Sequence, residues 1–136
     1  MARSVIADAG FVVALLGRRD QHHAWAVAQA REYAPPWRTC EAALSEAFHL
    51  LGRRGLSALT DLVRRRALLL SFALDQNLDP VLHLMQKSAN VPMSLADACL
   101  VRMTEILANP VILTTNKDFR VYRRHSRRTV PCVTPD

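Results

Sequence analysis

Apolar positions along the chain follow two patterns. Ser4-Val-Ile-Ala7, Leu68-Leu-Leu-Ser-Phe72 and Val111-Ile-Leu-Thr-Thr115 are short, nearly unbroken runs. They read as strands buried on both faces, since a strand with one wet face would alternate apolar and polar residues. Between them apolar residues recur every three or four positions, the repeat of a helix with one buried side. Ala43, Leu44, Ala47, Phe48 and Leu51 predict a helix over 39–51 with Gly52 as its C-terminal cap. Leu95, Cys99, Met103 and Ile106 predict another, opened by Ser94-Leu-Ala-Asp97, a capping box in its acidic variant.

Punctuation residues fill in the remainder. A helix over 21–33 is terminated by Pro35-Pro36. Trp37-Arg-Thr39 follows as a very short second strand, and residues 57–66 read as a further helix. Asp79-Pro80 supplies an N-cap and a first-turn proline for a helix through about Lys87. Asn109-Pro110 ends the helix before the Val111 strand, and the proline in Val130-Pro-Cys-Val133 places a short last strand at a sheet edge. Short strands alternating with helices predict an α/β fold, a central parallel sheet covered on both sides, in a single domain over residues 1–136. In open sheets of this kind ligands gather beyond the C-terminal strand ends, where Asp8 and Asp118 follow two of the strands.

Charge narrows the partners. The 136 residues carry 18 Lys and Arg against 12 Asp and Glu, a formal net charge of +6, which favours polyanions through counterion release. The surplus is clustered at Arg64-Arg65-Arg66 and among Arg120, Arg123, Arg124, Arg127 and Arg128. Three scattered cysteines, Cys40, Cys99 and Cys132, give neither a disulfide framework nor a paired-cysteine zinc site. With no apolar run near the roughly 20 residues needed to span a bilayer, the sequence reads as a cytoplasmic, membrane-free protein.

Four acids stand in apolar or helix-start surroundings: Asp8 in Ile-Ala-Asp-Ala-Gly, Glu46 in Leu-Ser-Glu-Ala-Phe, Asp97 in Leu-Ala-Asp-Ala-Cys and Asp118 in Asn-Lys-Asp-Phe. Each has a plainer reading as a cap, a turn residue or a surface side chain. Brought together they would repel, and a carboxylate cluster stays ionised at neutral pH chiefly when a cation neutralises it; hard oxygen donors suit Mg²⁺ or Mn²⁺. His22 and His23 are adjacent and diverge on a helix, so joint ligation is disfavoured, and Cys99 reads as core.

In order and spacing these segments resemble the PIN-domain family, specifically the toxin ribonucleases of VapC type. The resemblance rests on Val-Ile-Ala-Asp8-Ala-Gly, His22-His23-Ala-Trp25, Thr39 through Ser45-Glu46-Ala-Phe-His-Leu-Leu, Met93-Ser-Leu-Ala-Asp97-Ala and Leu113-Thr-Thr-Asn-Lys-Asp118-Phe. It implies a three-layer α/β/α sandwich and metal ligation by Asp8, Glu46 and Asp97, with a fourth acid after the fourth strand. Asn116 stands where many relatives have an acid, and Asp118 where others do, leaving both open for that role. Ala9 replaces a frequent Ser or Thr, with Thr115 and Ser45 as substitute helpers. The resemblance further implies Mg²⁺-dependent cleavage of RNA, a cognate antitoxin protein and homodimerisation. Two rivals share the scaffold class: a non-catalytic RNA-binding module, and a phospho-accepting receiver domain, which calls for adjacent acids after the first strand that Asp8 lacks.

Overall fold

β1 (Ser4–Ala7) occupies the centre of a five-stranded sheet in which every neighbouring pair is parallel. The computed structural model describes residues 2–88 and 90–136. On one side of β1 lie β2 (Trp37–Thr39) and β3 (Leu68–Leu70); on the other lie β4 (Pro110–Leu113) and the edge strand β7 (Cys132–Val133). Two-residue strands β5 (Arg123–Arg124) and β6 (Arg128–Thr129) form a separate antiparallel hairpin.

Strand pleat divides the core in two. Val5, Ala7, Val111 and Leu113 face one side, where they pack with Phe11 and Leu59; Ile6 and Ile112 face the other, with Leu100, Met103 and Phe119. This period of two with both faces apolar is why the strands carry no polar alternation. Helices α1 (Ala9–Leu16), α2 (His23–Glu32) and α3 (Glu41–Arg64) contribute to the first side, α4 (Leu78–Lys87) and α5 (Leu95–Ile106) to the second. The result is the expected α/β/α sandwich. Among the described residues no helix is long and apolar enough to cross a membrane.

Two local expectations need correction, and one element was not foreseen. Gly52 does leave helical geometry, with φ 62° and ψ −158°, a region open essentially to glycine alone. The chain re-enters a helix at once, however, so α3 is one bent element to Arg64 rather than two separated ones, and its second half starts earlier than residue 57. The α4 N-cap is Asn77, at the end of a 3-10 turn over Leu74–Asn77, and Asp79 sits inside the first turn. The β5–β6 hairpin, hidden in the sequence by its run of arginines, turns at His125 and Ser126 with φ 47° and 68°, the positive values a tight hairpin turn requires.

The strand order β3-β2-β1-β4-β7 differs from the receiver arrangement, in which the first strand lies between the second and third. Winding runs from β1 outward to β3, then resumes on the opposite side with β4. The switch point therefore falls between the C-terminal ends of β1 and β4, where the Asp8 N–H donates to the Leu113 carbonyl at 3.0 Å.

Candidate metal centre

Asp8 leaves β1 and caps α1, its Oδ1 accepting from the Ala9 N–H at 2.7 Å. Its Oδ2 accepts the Thr114 hydroxyl at 2.6 Å, while that hydroxyl accepts the Asn116 N–H at 2.9 Å. An ionised carboxylate can only accept, so the hydroxyl proton is directed at Asp8 while one of the hydroxyl's lone pairs takes the Asn116 N–H. The residue is only 6% exposed. Burial pushes its carboxyl up to about 6, Asp97 and Glu46 add to the rise through charge repulsion, and the bonds from Thr114 and Ala9 oppose it. The close approach of α1 to the end of β4 requires Gly10: a Cβ there would overlap the Thr115 hydroxyl.

Asp97 arrives from the first turn of α5. The Ser94 Oγ accepts the Asp97 N–H at 3.1 Å, completing the predicted cap. The Tyr122 hydroxyl donates to Asp97 Oδ2 at 2.9 Å, with the Pro92 carbonyl at 3.1 Å as a competing acceptor. Burial raises the Asp97 carboxyl, Tyr122 and Ser94 lower it by hydrogen bonding, and the Asp118 charge raises it again. The Tyr122 phenol is held above its ordinary value by burial and by the carboxylate it serves.

Glu46, from α3, and Asp118, from a 3-10 turn over Lys117–Arg120, are both exposed. Asn116 caps that turn, its side-chain carbonyl accepting the Asp118 N–H at 3.0 Å. None of the four acids forms an ion pair among the described residues; the pairs found there are Arg65–Asp61 and Arg102–Glu105, each at 3.3 Å. No three His, Cys, Asp or Glu side chains among the described residues are gathered tightly enough to form a ligand shell. The donor set nevertheless fits a hard divalent cation: all-oxygen, mutually repelling, and without an ion pair to Lys or Arg among the described residues.

The family model for the PIN domain matches residues 5–124. The chain belongs to the PIN-domain family. Among solved structures, VapC20 of Mycobacterium tuberculosis, described as a sarcin–ricin loop cleaving toxin, superposes with a TM-score of 0.78 at 18% identity over 92% of this chain and 99% of its own. No curated protein matches the sequence.

Within this PIN domain the structure redistributes the helper roles. The hydroxyl that reaches Asp8 belongs to Thr114, not Thr115, whose side chain lies against Gly10. Ser45 is exposed. Of the adjacent histidines, His23 has its ring engaged: its Nδ1–H donates to the Ala14 carbonyl at 2.8 Å, tying α2 to α1. Cys99 is buried, its thiol against that of Cys40. Sequence reasoning missed Thr114 and Tyr122. Strand alternation carried a signal for Thr114, since it shares the parity of Ile6-facing Ile112 rather than of Leu113, but Tyr122 was masked by the arginines around it.

Proposed function

We propose that this PIN domain is a divalent-metal-dependent endoribonuclease and the toxin of a toxin–antitoxin pair. The observation that carries the proposal is the Asp8 carboxyl, buried at the switch point within reach of the charges of Asp97 and Glu46, and without an ion pair among the described residues. The cleavage activity in the description of VapC20 supports RNA as the substrate class, as does the +6 charge.

Bound Mg²⁺, or Mn²⁺ in its place, would supply an activated water and positive charge for the phosphate. Asp8 and Asp97 are the fixed ligands, oriented by Thr114 and Tyr122 respectively. Glu46 and Asp118, exposed and with freer rotamers, complete the oxygen set. Asp118 rather than Asn116 takes the fourth role, because a carboxylate attracts the cation and orients bound water more strongly than a neutral amide does. Basic side chains hold the RNA backbone without reading bases. A cognate antitoxin, a homodimer and a cytoplasmic setting belong to the same proposal.

Purified protein should cleave RNA in Mg²⁺, stop on adding EDTA, and be inactive as Asp8→Asn. RNA binding that persists without metal-dependent cleavage would instead establish a non-catalytic module. Expression alone should slow growth and co-expression of a cognate antitoxin should restore it; equal growth in both cases would remove the toxin assignment.

A further inference from the structure

A concavity of about 310 Å³ opens between α4 and the β5–β6 hairpin, next to Asp97 through Tyr122 but lined by none of the four acids. Its floor is apolar, from Leu84, Met93 and Tyr122, and its rim carries His83, Lys87 and Arg123. One acid, Glu105, lines it, and that carboxylate is already bound by the Arg102 guanidinium at 3.3 Å and the His125 N–H at 2.7 Å. Arg123 is fixed in place, donating to the carbonyls of Arg120, Val121 and Tyr122, yet no carboxylate pairs with it among the described residues. The rim is thus positive over an apolar floor.

We infer that this cleft is a nucleotide subsite, receiving one unstacked nucleotide of single-stranded RNA next to the phosphodiester held at the acids. The inference rests on the nuclease reading for its substrate. The volume falls at the lower end of small-molecule sites. Single-stranded RNA offers both matching parts, a base face for the floor and a phosphate for the rim. Continuity singles out RNA over an acidic peptide: Tyr122 belongs to both places, its ring lining the cleft while its hydroxyl holds Asp97 at 2.9 Å. A strand with one phosphate at Asp97 has its neighbouring nucleotide at Tyr122. Val121, 54% exposed on the wall of the cleft, is placed to cover the base from solvent.

The test uses the full chain in Ca²⁺, which keeps a cation among the carboxylates in place of Mg²⁺, with binding read before any turnover, and a labelled single-stranded RNA oligonucleotide carrying one 4-thiouridine. Ultraviolet cross-links should map to the exposed lining of the cleft, to Val121 or to the rim at His83 and Lys87. The double variant His83→Glu/Lys87→Glu reverses the rim, and Val121→Trp fills the cleft with the rim intact; these exposed sites should leave the melting temperature little changed. Each variant should weaken binding about tenfold, the scale of losing a few phosphate or stacking contacts. Cross-links confined to other surfaces, or undiminished binding in both variants, would overturn the inference. So would variants that alter only the oligomeric state, which would assign the cleft to a second copy of the chain. Cross-links in the cleft without any Mg²⁺-dependent cleavage would sink the nuclease reading and leave the nucleotide site standing; cleavage without such cross-links would do the reverse.

Discussion

Thr114 donates its hydroxyl to Asp8 at 2.6 Å across 106 positions of sequence, joining the ends of β4 and β1. Because the same oxygen accepts the Asn116 N–H, the bond both orients the carboxylate and favours its ionised form. Thr114→Val keeps the shape and removes the hydroxyl. Single-turnover cleavage should fall roughly ten- to a hundredfold, the range for groups that orient metal ligands, and the acidic limb of the pH–rate profile should move upward. Thr114→Ser should restore most of both; an unmoved profile in the valine variant would leave Thr114 a packing residue only.

Asp8 makes the metal-free protein sensitive to pH. Its carboxyl titrates near the usual 3.8 when unfolded and at about 6 when folded, so between those values the folded state binds the extra proton. Stability should therefore be greatest at the acidic end of this window and decline as pH rises through it, by on the order of 3 kcal/mol from this group. In EDTA, Asp8→Asn should melt higher than the parent at pH 7 and about equally near pH 4. A mutant that melts lower at pH 7 would contradict the desolvation account.

Cation binding should reverse that penalty. At pH 7 saturating Mg²⁺ or Mn²⁺ should raise the melting temperature, with about 2.7 kcal/mol expected at a hundredfold excess over the dissociation constant. Asp8→Asn and Asp97→Asn should lose the increment while remaining folded. An equal rise in parent and mutants would place the cation elsewhere.

At the fourth position Asp118→Asn should slow cleavage roughly ten- to a hundredfold. Asn116→Ala removes a cap from the 3-10 turn and should cost about 1 kcal/mol of stability with a smaller effect on rate. The opposite ranking in saturating Mg²⁺ would transfer the role to Asn116.

The sequence displayed the sheet well because burial on both faces leaves an unmistakable apolar run, as at Val5-Ile-Ala and Val111-Ile-Leu. The Ser94 cap was legible for a similar reason: its hydrogen bond closes within four residues. Long-range partners were harder. Thr114 and Thr115 are chemically identical neighbours, and choosing between them depends on strand parity at the point where the strand ends. Tyr122 reaches Asp97 from 25 positions away, out of a segment whose arginines dominate its pattern. Gly52 was recognised as a helix breaker, but no local signal said that the helix would resume immediately.

The placement of β4 beside β1 also sets an order of assembly during synthesis. Asp8, Glu46 and Asp97 all precede β4, so a growing chain holds three of the four acids before Thr114 exists to orient the first, or Tyr122 the third. An incomplete chain therefore carries the acids without a centre. For a protein proposed to cut RNA, competence comes only once synthesis has passed Tyr122.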